Sequence, residues 1–161
     1  MWFYSCSWNS SFHTRGFMYS IDISSFPLIV IQSDSPVCQA MLKDFYKTIY
    51  TAVERQTAFG ILYRCNATTP KLPRAKSPTL LVEQLPPELP EYLAGLVAVM
   101  KSTKMIRYLR PLSVGLTKAM PKCPIKIFTW GEEQNAKAWI QAQIEIKHGK
   151  LAWARLAQKT S

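Results

Sequence analysis

Apolar residues recur along the chain at two spacings, in short alternating or continuous runs and at every third or fourth position in longer ones. "YSIDI" from Tyr19 and "LIVIQ" after Pro27 are β-branched apolar runs interrupted by "SSFP", which predicts two short strands joined by a turn. Val37, Met41, Phe45, Ile49 and Val53 then fall four apart, with Lys43, Lys47 and Glu54 left for solvent. That period predicts an amphipathic helix, opened by Asp34 or Ser35 as N-cap with Pro36 in its first turn. "AFGILYRC" and "AGLVAVM" are mainly apolar runs of strand length, as expected for strands covered on both faces.

Between those two runs, "NATTPKLPRAKSP" reads as a basic loop, a helix is expected from about Thr79 to Leu85, and "PPELP" interrupts it because each Pro removes a backbone donor. After the second run, Ser102 or Thr103 can cap a helix carrying Met105, Ile106, Leu109 and Leu112 on one face, bent or broken at Pro111. "IKIFTW" closes the strands, with Ile125, Ile127 and Thr129 pointing one way and Lys126 and Phe128 the other. Gly131 and Glu132 turn the chain into a last helix, whose Ala136, Trp139, Ile140 and Gln143 can return to the sheet; Gly149 suits a helix stop, while "KLAWARLAQK" beyond it can resume as a short amphipathic turn or two.

Strands alternating with helices predict an α/β fold, a mixed, mostly parallel four- to five-stranded sheet with helices packed on it. Residues 1–18, aromatic and Ser-rich without a period, read as an irregular extension, and Met18 offers an alternative translation start. The domain proper is expected over 19–147, followed by a basic C-terminal tail over 148–161.

The succession "FPLIVI", "FGILYR", "YLAGLVAVM", "MIRYLRPL" and "CPIKIFTWGEEQNAKAWI" resembles the STAS-like group, the sulphate transporter and anti-sigma-factor antagonist domains, in its small bacterial stand-alone version. Its last segment resembles the family's ending, an apolar strand, a short acidic turn and a helix with Ala136 and Trp139, with Asn135 in place of the usual Glu or Asp before Ala136. The resemblance implies a non-catalytic regulatory or protein-interaction module, in some members switched by phosphorylation after a central strand. The hydroxyls in the corresponding region are Thr68, Thr69, Ser77 and Thr79, which none of the family's Asp residues precedes and which Lys and Pro surround. Turn and cap roles suit these hydroxyls better.

Composition narrows the chemistry. The chain has 161 residues, of which 48% are hydrophobic, enough for one core. Twenty basic and ten acidic residues give a net charge of +10, which favours anionic partners without choosing among them. No apolar run approaches the ~18 residues of a spanning helix, and no export signal is evident, so a cytoplasmic, non-transmembrane protein is expected. Cys6, Cys38, Cys65 and Cys123 form no CxxC and stand apart from His13 and His148, so free buried thiols are expected, with no metal site and no cofactor. Glu83, Glu88 and Glu91 imply a solvated face, and no P-loop, GxGxxG or GxSxG occurs; the chain reads as a non-enzyme.

One feature of the charge pattern stands out. Between Tyr92 and Trp130 there are seven basic residues and no acidic one: Lys101, Lys104, Arg107, Arg110, Lys118, Lys122 and Lys126. The first six are candidate contacts to an anionic partner. A protein partner is the leading expectation, and homo-oligomerisation stays open. A peripheral contact to lipid or nucleic acid through 101–126, without specific nucleic-acid recognition, is the alternative. A carrier of a small apolar ligand is a third.

Overall fold

The computed structural model describes residues 9–14, 17–34, 39–67 and 83–159. The expected start of the first helix at Ser35–Pro36, Val37 on its face and most of the expected helix at 79–85 lie outside them; 83–85 are turn. The strands are β1 (Asn9–Thr14), β2 (Phe17–Asp22), β3 (Leu28–Ser33), β4 (Phe59–Cys65), β5 (Leu93–Met100) and β6 (Ile125–Thr129). They form one mixed sheet in sequence order. β1, β2 and β3 pair antiparallel, and β3 to β6 pair parallel. The architecture is the α/β fold read from the apolar pattern, with β1 added at the edge. Thus the stretch 1–18, expected to be irregular, contains a strand.

The register divides the parallel strands into two faces. Ile29, Ile61, Leu96 and Ile125 form one row, and Ile31, Tyr63, Ala98 and Ile127 the next on the same face. That face is covered by α1 (Gln39–Glu54), by the single turn α2 (Leu89–Tyr92) and by α3 (Thr103–Ala119). On α1, Met41 and Ile49 are buried and Phe45 and Val53 pack beside them, as the period of four predicts. The Tyr19 hydroxyl donates to Asp44 Oδ2 at 2.6 Å, tying β2 to the same helix. Helices on one face are what right-handed crossovers between sequentially ordered parallel strands produce.

The other face would be left in water without the helix that follows β6. α4 (Glu133–Lys159) enters through a single 3-10 turn at Trp130–Glu132 and supplies that cover. Ala136, Ile140 and Ile144, four apart, are buried against Leu62, Val97, Val99 and Phe128. Close approach here depends on two glycines that neighbour each other in the register. A Cβ at Gly60 would stand 2.6 Å from Ile140 Cγ1, and one at Gly95 would stand 3.3 Å from Ile140 Cδ1.

Neither of the last two helices is interrupted where a break was expected. α3 runs unbroken through Pro111, and α4 runs through Gly149 to Lys159, so the expected basic tail is mostly helix. A single interior glycine costs about 1 kcal/mol relative to Ala, too little to stop a helix held on both sides of it. Lys147 Nζ donates to Pro90 O at 2.8 Å on one side of Gly149, and Arg155 Nη2 donates to Gln56 O on the other.

Candidate functional site

The structure distributes the candidate anionic contacts over one helix and the turns that flank it. Lys101 is exposed just beyond β5, where its backbone N–H donates to Cys65 O at 3.2 Å. Lys104, Arg107, Arg110 and Lys118 are exposed on α3, and Lys122 is exposed in the turn that leads to β6. Met105 is buried and Ile106 packs beside it, which turns the sheet-facing side of α3 away from these cations. Val114, 54% exposed, lies on the cationic side, seven residues after Arg107 and four before Lys118. The side chains of Leu109 and Leu112 are outside those described.

Lys126 does not join this surface. It shares a register row with Val97, Leu62 and Val30, on the α4 face of the sheet. Its Nζ stands 5.1 Å from the Phe128 ring centroid and 5.7 Å from that of Trp139. The basic run 101–126 is therefore split between opposite sides of the molecule, because strand alternation sends Lys126 away from α3. Trp139 is partly buried between the α4 core and this ammonium.

The C-terminal ends of parallel strands are the usual place for a ligand in an open α/β sheet. At this end, Asn66 Nδ2 donates to Asp34 Oδ1 at 3.0 Å, linking the ends of β3 and β4. On the α4 face, Arg64 Nη2 meets Glu133 Oε2 at 2.9 Å, and Glu133 Oε1 also meets Lys137 Nζ at 3.2 Å. The Arg64 guanidinium carbon lies 5.3 Å from the Trp130 ring centroid, while Nε is buried with no hydrogen-bond partner among the described residues. Arg64 thus fixes the first turn of α4 on the central strand, and Glu133 suits the positive end of that helix. Glu132 closes the same turn: its carboxylate accepts from the Thr129 N–H at 2.9 Å and from Oγ1 at 2.7 Å. These bonds, with the Thr129 hydroxyl first, hold its pKa below the usual carboxylate range.

The spacing of residues gave no sign of the Arg64–Glu133 pair, since its partners are 69 residues apart. The available signal was a lone charge in the apolar run "FGILYRC", two and four positions from Leu62 and Gly60 and so on the α4 face.

Cys65 and Cys123 are free, buried thiols. Burial pushes the Cys123 thiol up to about 11, against the pull of the Lys147 charge. Burial likewise pulls the Lys147 ammonium below the usual lysine range. Cys123 is therefore a protonated thiol near neutral pH. Among the described residues no three His, Cys, Asp or Glu side chains gather as a metal cage. Cys6, Cys38, Thr68, Thr69, Ser77 and Thr79 lie outside the described residues. No described helix is long and apolar enough to cross a membrane. Compared with protein-family models, with curated proteins and with solved structures, the chain matches none.

Proposed function

We propose that the protein is a non-catalytic interaction module of STAS-like type that docks an acidic surface of a protein partner on the outer face of α3. The observation that carries this reading is the side of α3 that exposes Lys104, Arg107, Arg110 and Lys118 around an exposed Val114. No acidic residue lies anywhere between Glu91 and Glu132 to neutralise it. Charge steers and orients such a partner, and the apolar side chain within the patch gives it a surface to desolvate. The STAS-like assignment draws its support from the α/β sheet and from the closing strand and helix, β6 and α4, which carry the family resemblance.

The alternative, a phosphate surface read through all of 101–126, is weakened by the position of Lys126 on the far side of the sheet. Affinity purification from the native source with the unaltered chain and with Arg107→Glu/Arg110→Glu tests the reading. The expected result is an acidic protein held by the unaltered chain, released by moderate salt, and weakened at least about tenfold by the double charge reversal. Equal retention by both chains, or recovery of nucleic acid alone, would overturn it.

A further inference from the structure

The second half of α4 carries an apolar stripe on the side opposite the sheet. Ile146 is 53% exposed, Trp153 77% and Leu156 59%. The spacings of seven and three place these side chains on one side of the helix, roughly opposite Ala136, Ile140 and Ile144. Exposed Gly149 lies between Ile146 and Trp153, with open space where a Cβ would be. Lys150 is exposed four residues after Ile146 and three before Trp153, so it borders the same stripe. From Glu145 to Lys159 the helix has four basic residues and a single carboxylate, Glu145; Lys147 and Arg155 reach back to Pro90 O and Gln56 O, which leaves Lys150 as the described cation beside the stripe.

We infer that this outer side of α4, centred on Ile146, Lys150 and Trp153, is a docking surface for an anionic lipid bilayer, on which the helix lies parallel to the membrane plane. Charge complementarity selects the occupant. A stripe of apolar side chains bordered by Lys150 on a chain of net charge +10 is attracted to a surface of anionic headgroups. An exposed indole suits the headgroup boundary, where its apolar ring and polar N–H are both satisfied. The Lys150 stem beside the stripe can cover apolar surface while its ammonium group reaches the phosphates.

A second copy fits less well. Three large side chains over 11 positions would bury on the order of 800 Å² in a dimer, the range of a packing contact, and the stripe is too short for a coiled coil. Two such helices would also bring like charges together. The surface lies across the sheet from α3, so a membrane-docked molecule would leave the cationic face of α3 open to its partner.

Sedimentation of the full chain with vesicles tests the inference, using phosphatidylcholine alone and phosphatidylcholine in which about a third of the lipid is phosphatidylglycerol. The unaltered protein is expected to sediment with the anionic vesicles and to remain in solution with the neutral ones. Trp153→Ala and Lys150→Glu should each lower partitioning roughly tenfold without loss of helical signal, and raised salt should weaken binding of the unaltered chain. Arg107→Glu/Arg110→Glu should leave it nearly unchanged, which separates this surface from that of α3. Absence of binding to anionic vesicles, or binding that survives Trp153→Ala but is lost on reversal of the α3 charges, would overturn the inference. So would a homodimer in solution that Trp153→Ala splits into monomers, since the stripe would then belong to a second copy.

Discussion

The two halves of α4 spend similar residues in opposite ways. From Glu133 to Ile144 its isoleucines and Ala136 are buried against a sheet floor opened by Gly60 and Gly95, and its first turn is fixed by Arg64. From Glu145 to Lys159 the helix is joined to the rest by side-chain bonds from Lys147 and Arg155 to backbone carbonyls, while Ile146, Trp153 and Leu156 face water. Apolar residues in the first half act on stability, through area removed from water. Those in the second half stabilise the fold little and are available for contact with something else.

The sharpest break of this contrast is Ile140→Ala, which removes a fully buried side chain from the centre of the first half. It should cost roughly 3 kcal/mol in denaturant unfolding. Next is the junction, where Cys123 and Lys147 meet. The folded pKa of Cys123 is raised from 9.0 to about 11, so its contribution is complete below about pH 9 and is lost as the pH rises through the folded value. The loss amounts to roughly 2–3 kcal/mol by about pH 11. Lys147, with its lowered pKa, acts in the opposite sense as it loses its proton. Melting temperatures of the unaltered chain should therefore fall faster across this alkaline range than those of Cys123→Ala.

Gly60→Ala should destabilise by about 1–3 kcal/mol, because Ile140 stands where the new methyl must go. In the second half the same kind of change has the opposite sign. Gly149→Ala meets nothing within 4 Å and should stabilise by about 0.5–1 kcal/mol, seen as a higher melting temperature. Smallest of all, Trp153→Ala should change unfolding by less than about 0.5 kcal/mol although it removes the largest side chain in that half.

This division was only partly legible in the chain. The spacing of Met41, Phe45, Ile49 and Val53 identifies α1, and the mainly apolar runs identify β4 and β5, because in these segments the local pattern and the buried surface agree. β1 was not legible: "NSSFHT" has no apolar alternation, and its strand is formed by pairing with β2 rather than by a pattern of its own. The length of α4 was obscured by Gly149, whose modest propensity cost reads as a stop when the distant anchors at Pro90 and Gln56 are unknown. The division of the basic run was present in the alternation of β6, which sets Lys126 apart from Ile125 and Ile127. Proximity along the chain nevertheless grouped it with the cations of α3.

Amide hydrogen exchange along α4, followed in the full chain with and without anionic vesicles, tests the account most directly. Amides from Ala136 to Ile144 should exchange only through global unfolding, and those from Gly149 to Gln158 should exchange faster through local opening. Vesicles should slow exchange in the second segment and leave α3 unchanged. Uniform protection along the helix without vesicles, or a vesicle effect confined to α3, would contradict the account.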